Sequence, residues 1–445
     1  MQSANTMSIS KIKFVFLLLT ALPVVCFAQL NSPYSRYGIG NLIPQANIAN
    51  RAMGGISGAY TDPTSINTVN PASYSDLVYS TLDLGVEYDG LNLKSKEPQG
   101  SFKSNNGIVP YLDFGFPLLR NNKKAQEKKI SWGMAFGLRP ISKINYKVLN
   151  TSPSIDSSTT TYEGSGGVNQ AFIGTGIRFH RFSIGFNTGY LFGEKSYDTR
   201  LVFTGALDSL YYYKTHYGSS TRFGGLFLNA GAQYSIKLNK NAALNLGVYG
   251  TMQKSYKGNK EDLLETYNYN TQTETPQPID TVTYFPLQKG NVQMPATIGA
   301  GLVYSNEHLL IGVDYESTQW SKYRFFGQKD FVKNSWNAKL GLQYLPATSS
   351  STGYFNFVKY RAGLSVGEDY IDIENSLPVY SISLGGAFPL KLKHSFYDHQ
   401  YSIMNFTFEY LNRGNNNNNN LTENMYKVSF GFSLSDIWFI RQKYQ

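Results

Sequence analysis

Apolar side chains alternate with small or polar ones along most of this chain, in segments of roughly ten to sixteen residues. Alternation with a period of two places successive side chains on opposite faces of a β-strand, so these segments are predicted to be strands. Helical periodicity is nearly absent. The clearest segment runs from Arg181 to Glu194, where one face carries Phe182, Ile184, Phe186, Thr188, Tyr190 and Phe192.

Fourteen such segments can be counted along the chain. An even number is what antiparallel closure of a bacterial outer-membrane barrel requires. The predicted strands lie near residues 78–93, 107–119, 130–147, 166–179, 181–200, 221–237, 241–256, 293–305, 308–324, 334–346, 355–369, 379–391, 400–413 and 424–435.

The connections between these segments follow a parity. The odd-numbered connections are mostly the longer ones, although the even-numbered 120–129, 347–354 and 392–399 are also long. The longest connection, residues 257–292, is predicted to be a solvated external loop, with a mobile capture loop as the alternative. The even-numbered connections include the shortest, at His180, 238–240 and 306–307. Long loops on one side and short turns on the other predict a membrane barrel. A soluble β-sandwich, the alternative, also alternates but does not require this parity.

The composition supports the membrane interpretation. The chain is 41% hydrophobic and 15% aromatic but only 16% charged, which excludes disorder, because disordered chains are poor in aromatic residues and rich in charge. A helical bundle is excluded because only one apolar stretch approaches the roughly 20 residues that a membrane-spanning helix needs. The apolar faces are therefore predicted to meet lipid. Charged side chains on the opposite faces are predicted to line an aqueous lumen, among them Asp83, Glu87, Asp314, Glu316, Lys339, Arg361 and Glu409.

The N-terminal stretch is predicted to be a signal peptide covering residues 1–28. Lys11 and Lys13 precede an apolar run that ends at the small residue Ala28, and the run is too short to span a bilayer. Cleavage there would remove the chain's one cysteine, Cys26. A lipoprotein would instead keep Cys26 as its acylated first residue, but Val25 stands where a small residue is expected. The protein is therefore expected to be exported to an outer membrane of the Gram-negative type.

Residues 29–77 do not alternate and are rich in turn-forming residues, so they are predicted to form a compact N-terminal hatch. Eight-stranded barrels fill with their own side chains and barrels of sixteen to eighteen strands leave an open channel, so fourteen strands are expected to leave a lumen that needs a plug. The predicted fold is an all-β, fourteen-stranded antiparallel transmembrane β-barrel, residues 78–445, with this segment as its plug.

Two stretches resemble the long-chain fatty acid transporter (FadL) family of outer-membrane proteins. The first contains Gly38-Ile39-Gly40, then the run from Arg51 to Ala59 with Gly54 and Gly55, and then Asn70-Pro71-Ala72, which is similar to that family's hatch motif. The second runs from Met294 to Tyr304 and continues through Gly312-Val313-Asp314-Tyr315 to Trp320-Ser321-Lys322-Tyr323, and it resembles a late hairpin of the family.

This resemblance implies a monomeric barrel that takes up hydrophobic compounds such as long-chain fatty acids. Capture at external loops would be followed by passage past the hatch and lateral exit through an opening at a kinked third strand. Pro110 and Pro140 are candidates for that opening, because a proline removes a ladder hydrogen bond and the two positions are opposite each other if the turn is centred near Ala125. Two prolines at ordinary strand ends are the alternative.

Candidate chemistry is otherwise sparse. Arg139, Arg178, Lys339 and Arg361 alternate into the predicted lumen, where they could meet a ligand carboxylate or simply be ordinary lumen charges. The sequence has no metal-binding or catalytic constellation, no cofactor motif and no basic run of the kind that binds nucleic acid. The expected partners are hydrophobic small molecules and outer-membrane lipid. The alternative function is a secretion-associated interaction barrel that docks exported proteins.

Overall fold

A computed structural model describes residues 31–119, 129–152, 157–203, 212–270, 272, 275–346, 353–373, 375–390, 401–415 and 419–436. The predicted signal peptide 1–28, including Cys26, lies outside these residues, and so does the turn around Ala125. Among the helices of the described residues, none is long and apolar enough to cross a membrane.

Fourteen antiparallel strands form the wall in the described part of the chain, and three of them are interrupted. The last strand pairs with the first from Leu421↔Ser95 to Asp436↔Ser80, which closes the barrel. The strands are β1 (Ser80–Ser95), β2 (Gly100–Ile108 and Leu112–Pro117), β3 (Ile130–Ser152), β4 (Ser158–Phe179), β5 (Phe182–Phe203), β6 (Lys214–Lys237), β7 (Ala243–Thr251 and Lys254–Tyr269), β8 (Pro276–Met294 and Thr297–Ser305), β9 (Leu309–Thr318), β10 (Ser335–Tyr344), β11 (Lys359–Glu368), β12 (Pro378–Leu390), β13 (Tyr401–Arg413) and β14 (Leu421–Asp436).

The two faces of the wall differ as the alternation predicts. On β5, Phe186 is 47% exposed while Ser183 is 1% exposed and faces the interior. The inward acids Asp83, Glu87 and Asp314 are all buried. A wall that is apolar outside and polar inside is characteristic of transmembrane barrels. The prediction of a fourteen-stranded transmembrane β-barrel is therefore confirmed.

The prediction that residues 257–292 form a loop is wrong. β7 continues to Tyr269 and β8 begins at Pro276, and the two are paired from Lys254↔Met294 to Tyr269↔Pro276. This hairpin extends on the side of the long connections. Its apolar alternation is weak because both faces of β8 are exposed in this stretch, so polar residues occur on either side. The sequence alternation that predicts a strand needs one apolar face, and this part of β8 has none.

Residues 31–77, the described part of the predicted hatch, lie against the inward face of the wall. They contain short helical turns at Pro33–Arg36, Ile48–Arg51 and Pro71–Asp76, and a two-residue strand, Asn41–Leu42. Asn47 caps the middle turn, because its side chain accepts a hydrogen bond from the Asn50 amide at 2.9 Å. Ile48, Met53, Ile56 and Ile66 are fully buried.

A belt of wall glycines surrounds this segment. Four of them are paired one to the next across β3 to β6, and two more are paired with each other across β7 and β8. A Cβ atom on Gly133 would lie 1.9 Å from the Tyr74 carbonyl oxygen, and one on Gly363 would lie 1.9 Å from the Gly54 nitrogen. The absence of side chains therefore lets hatch backbone approach wall backbone directly. The series of four is Gly133, Gly176, Gly185 and Gly231, and the separate pair is Gly247 with Gly301.

Candidate ligand-binding lumen

A cavity of about 660 Å³ lies inside the barrel, next to the hatch. Hatch residues from Ile39 to Ala46 and around Gly54 form part of its surface, and wall strands form the rest. Apolar side chains such as Phe227, Met294 and Trp320 line it together with charged ones such as Lys339 and Glu316. Such a mixed surface suits a molecule with a long apolar part and few polar groups.

Buried charge pairs fix the hatch beneath this cavity. Arg51 forms ion pairs with Glu87 of β1 and with Glu409 of β13, the latter at 3.0 Å. Lys427 of β14 lies 3.4 Å from the other oxygen of Glu87. Because Arg51 is only 3% exposed, its charge depends on these carboxylates for stabilisation.

Backbone amides of the hatch are also held by the wall. One carboxylate oxygen of Asp314 accepts hydrogen bonds from the amides of Ser57 at 2.6 Å and Gly58 at 2.7 Å. The Thr407 hydroxyl of β13 donates to the Ile48 carbonyl at 2.9 Å. These contacts come from β9 and β13, so the hatch is attached to well-separated strands of the wall.

The hatch motif residues have distinct positions. Gly54 and Gly55 both have positive φ, 66° and 84°, and both line the cavity. The Asn70 side chain donates to the Gly58 carbonyl at 2.6 Å, and it accepts from the Ala72 amide at 3.2 Å to cap the turn that begins at Pro71. That turn packs on β4 and β5, where a Cβ on Gly185 would lie 2.4 Å from the Pro71 carbonyl oxygen.

One hatch carboxyl, that of Asp62, has a pKa shifted from its ordinary value. Burial alone would raise the pKa of the Asp62 carboxyl. Lys359, with its Nζ 3.0 Å from the carboxylate, and hydrogen bonds from Thr64 more than offset that effect and hold the pKa well below its usual value. Asp62 is therefore charged and ties this part of the hatch to β11.

The four candidate cations do not form one group. Arg139 is 2% exposed, is paired with Asp113 and donates to the Gln45 carbonyl. Arg178 is paired with Asp76 at the end of the hatch. Arg361 donates to Gln343 at 2.9 Å and to Asn405 at 2.7 Å. Of these four, Lys339 lines the cavity, with its Nζ 3.4 Å from Glu316.

Sequence patterns missed several cavity residues. Arg51, Lys427 and Arg413 line the cavity. Arg413 is paired with Glu423 at 3.2 Å and with Asp369 at 2.9 Å. The alternation of β13 and β14 places Arg413 and Lys427 inward and could have identified them. Arg51 belongs to a segment without alternation, so no pattern in the sequence indicated which way its side chain points.

Pro110 and Pro140 lie at an interruption of the wall, which we call the seam. Pairing of β2 with β3 runs from Pro117↔Gly133 to Leu112↔Leu138 and stops there. The first part of β2, Gly100–Ile108, is paired with β1 alone in the described ladders. β3 has a bulge between Pro140 and Ser142. In this register positions 110 and 140 are opposite each other.

The N-terminal end of the hatch occupies the β3 side of the seam. Asn41 and Leu42 pair with Lys143 and Ser142 as a short antiparallel ladder. The Ser32 amide donates to the Asn145 carbonyl at 3.1 Å. Residues 31–45 therefore replace β2 as the partner of this part of β3.

A second interruption, which we call the window, lies between β6 and β7. β6 pairs with β7 up to Asn229↔Thr251 and again from Gly224↔Lys257, so Gly225–Leu228 have no partner on that side in the described ladders. Met252 and Gln253, between the two parts of β7, have no strand partner on the β8 side in the described ladders. Pairing there stops at Thr251↔Thr297 and resumes at Lys254↔Met294.

Comparisons with known proteins agree with this architecture. The sequence profile described as BamG matches residues 8–445. No curated protein sequence matches the chain. Among solved structures, similar folds include the Pseudomonas putida toluene transporter TodX, at 13% identity and a TM-score of 0.52, which covers 90% of this chain and 100% of that one. A Pseudomonas aeruginosa FadL homologue has 11% identity and a TM-score of 0.52, with coverage of 90% and 100%.

The Ralstonia pickettii toluene transporter TbuX is also similar, at 12% identity and a TM-score of 0.50, covering 88% of this chain and 99% of that one. At these identities the likeness concerns the fold. The resemblance to the FadL family that the two sequence stretches indicated is therefore confirmed at the level of the barrel architecture.

Proposed function

The chain belongs to the BamG family, and from its fold and its lumen we propose that it is an outer-membrane channel for the uptake of hydrophobic compounds. The observation that carries the proposal is the lumen cavity of about 660 Å³, which has a mixed lining and lies next to a tightly attached hatch. Two structures of similar fold are described as toluene transporters and a third as a FadL homologue, which supports the same class of cargo.

Long-chain fatty acids are our proposed substrate class. Burial of apolar surface contributes about 0.8 kcal/mol per CH₂ group, so a long alkyl chain gains several kcal/mol in an apolar pocket. Lys339 is the candidate partner for the carboxylate. Capture would take place at the external side, followed by passage past the hatch and lateral exit at the seam. We further propose that the protein acts as a monomer, without a cofactor, and reaches the outer membrane by means of its signal peptide.

Binding to the delipidated protein tests the proposal. Trp320 lines the cavity and is 4% exposed, so a ligand that enters should change its fluorescence. We expect saturable binding of a long-chain fatty acid, with the fluorescence change reduced in Trp320→Phe, since Trp336 also lines the cavity, while binding of labelled ligand remains. Absence of saturable binding of both fatty acid and aromatic hydrocarbon would contradict the proposed cargo.

A second candidate function is an interaction barrel that docks exported proteins, and one observation favours it. Residues 276–291 of β8 pair only with β7 among the described ladders, so the other edge of this strand carries backbone groups without a strand partner. Ile279, Val282, Phe285 and Leu287 of this edge are each at least 50% exposed. Such an edge can accept an extended segment of another protein as an additional strand.

The hairpin that presents this edge is well supported. His216 of β6 lies between two carboxylates, with Nδ1 2.8 Å from Glu265 of β7 and Nε2 2.8 Å from Asp198 of β5.

A double variant, Val282→Asp with Phe285→Asp, separates the two functions. Docking predicts that a protein co-purifying with the barrel is lost in this variant and retained in Leu149→Asp, which is 63% exposed on β3. A channel without a docking role predicts unchanged co-purification and unchanged ligand binding.

A further inference from the structure

The outward face of the wall has an apolar depression beside the window, which we call the trough. It is a cavity of about 980 Å³ that extends over β4 to β9. Its surface includes Ala230 and Ala232 of β6, with Ile184 of β5, Val248 of β7 and Ile298 of β8 around them. Ala230 and Ala232 have small side chains, and the side chains around them are larger. The outward surface is therefore recessed at the two alanines.

The trough and the lumen cavity meet at the window. Leu228, Gly250, Met252, Gln253 and Thr297 line both cavities. Met252 is 74% exposed, and Leu226, just beside the gap in β6, is 63% exposed. On its far side β6 remains fully paired with β5, with Thr188↔Leu228 and Leu191↔Gly225 in register. The interruption therefore involves both edges of β7 and leaves the pairing of β5 with β6 continuous.

The window differs from the seam in what stands across it. At the seam, residues 31–45 of the hatch pair with β3 in place of the missing wall strand. At the window, no hatch residue pairs with Gly225–Leu228 or with Met252 and Gln253 in the described ladders. Its upper rim is closed by Tyr256, whose ring would lie 3.0 Å from a Cβ atom on Gly225.

From this geometry we infer that the window is a port into which the acyl chain of a surrounding membrane lipid inserts, with the trough as its binding site. The trough belongs to the apolar outer face that a transmembrane barrel presents to lipid, so hydrocarbon chains are what surrounds it. Apolar contact with Ala230, Ala232, Val248 and Ile298 favours an alkyl chain over any polar ligand. The inserted end of the chain reaches the lumen cavity beside Tyr256 and Met294, which line that cavity and not the trough.

The inference concerns the same cavity as the proposed function and so rests on it for its biological role. Its test is independent of transport. The purified full chain is reconstituted in phospholipid bilayers that contain a small fraction of phospholipid with a diazirine at the end of one acyl chain. After irradiation, the labelled residues are mapped by mass spectrometry.

We expect labelling at Met252 and Gln253 and also at Tyr256, which is 4% exposed and out of reach of lipid that only surrounds the barrel. The double variant Ala230→Phe with Ala232→Phe fills the trough from the lipid side and should abolish labelling at Tyr256. Ala338→Phe is the matched control, because Ala338 alternates outward with Leu340 on β10 and lies away from the trough. It should leave labelling unchanged.

Met252→Trp is a second variant, which blocks the window itself. Met252 is 74% exposed, so its replacement should disturb little packing. This variant should also abolish labelling at Tyr256. Labelling that is uniform around the outer wall and absent from Tyr256 would overturn the inference, as would labelling at Tyr256 that both blocking variants leave intact. Labelling at Tyr256 without saturable ligand binding would instead contradict the proposed function. Ligand binding without such labelling would contradict the port alone.

Discussion

Gly247 of the wall and Gly58 of the hatch approach so closely that a Cβ atom on Gly247 would lie 1.9 Å from the Gly58 carbonyl oxygen. Any side chain at position 247 therefore forces the hatch or β7 to move. We predict that Gly247→Ala lowers the free energy of unfolding by about 1–3 kcal/mol, as overpacking of a well-packed interior does. Denaturant titration of the protein in detergent measures the change.

The matched control is Gly90→Ala on β1. A Cβ atom there would lie 3.6 Å from the nearest side-chain atom, which is ordinary contact. Its stability should match that of the unchanged protein. Equal stability of both variants would show that the hatch is not held by close backbone contact with the glycine belt.

Removal of the Arg51 charge should have a larger effect. Arg51→Met leaves Glu87 and Glu409 buried without their common partner, and loss of one member of a buried ion pair typically destabilises by about 3–5 kcal/mol. Channel conductance should rise in the same variant because the hatch loses its attachment to β1 and β13. Arg222→Met is the comparison, since its pair with Glu194 is 77% and 49% exposed and should contribute little. Similar small effects in both variants would contradict the proposed anchoring.

Movement of residues 31–45 along β3 is required if cargo leaves through the seam. Asn41 and Lys143 are directly paired, and paired strands bring Cα atoms to distances that a disulfide can bridge. We predict that Asn41→Cys with Lys143→Cys abolishes uptake when oxidised and restores it when reduced.

A disulfide in a continuous part of the wall provides the comparison for the seam. Leu384 and Phe408 are paired between β12 and β13, and both face outward. The corresponding cysteine pair should leave uptake unchanged in either redox state. Full uptake through the oxidised Asn41–Lys143 variant would show that cargo does not need the seam to open.

Lys339 should distinguish acidic from neutral cargo. Its ammonium group lines the cavity, and a hydrogen bond to a charged group contributes about 1.5–3 kcal/mol. Lys339→Gln should therefore weaken binding of a fatty acid by about that amount and leave binding of toluene unchanged. Arg178→Gln, at the far end of the hatch, should change neither affinity. An equal loss for both ligands in Lys339→Gln would indicate a structural effect instead of carboxylate recognition.

The sequence predicted the wall well because each strand has one apolar face and one polar face. Leu112 pairs with Leu138, in the register that the spacing of Pro110 and Pro140 required. The prediction failed at residues 257–292, where the β8 strand of the hairpin is exposed on both faces and the alternation that identifies a strand is lost. Strand pairing there comes from backbone hydrogen bonds, which leave no pattern in side-chain polarity.

The candidate site was harder to predict than the fold. Alternation showed that Arg139 and Arg361 face inward, but their partners, Asp113 and Asn405, depend on the stagger between strands and on where the hatch lies. The window was invisible because Met252 and Gln253 look like an ordinary continuation of β7, and only the pairing of three strands reveals the gap. Long-range register of this kind cannot be read from one strand at a time.

Uptake of a labelled long-chain fatty acid tests the central claim most directly. The rate is measured into lipid vesicles that contain the protein and into vesicles that contain the variant Arg51→Met or no protein. We predict that the unchanged protein accelerates entry over protein-free vesicles, that the rate saturates with substrate, and that a small polar solute does not enter. Equal rates with and without the protein, or entry of the polar solute at the same rate, would contradict a plugged channel for hydrophobic cargo.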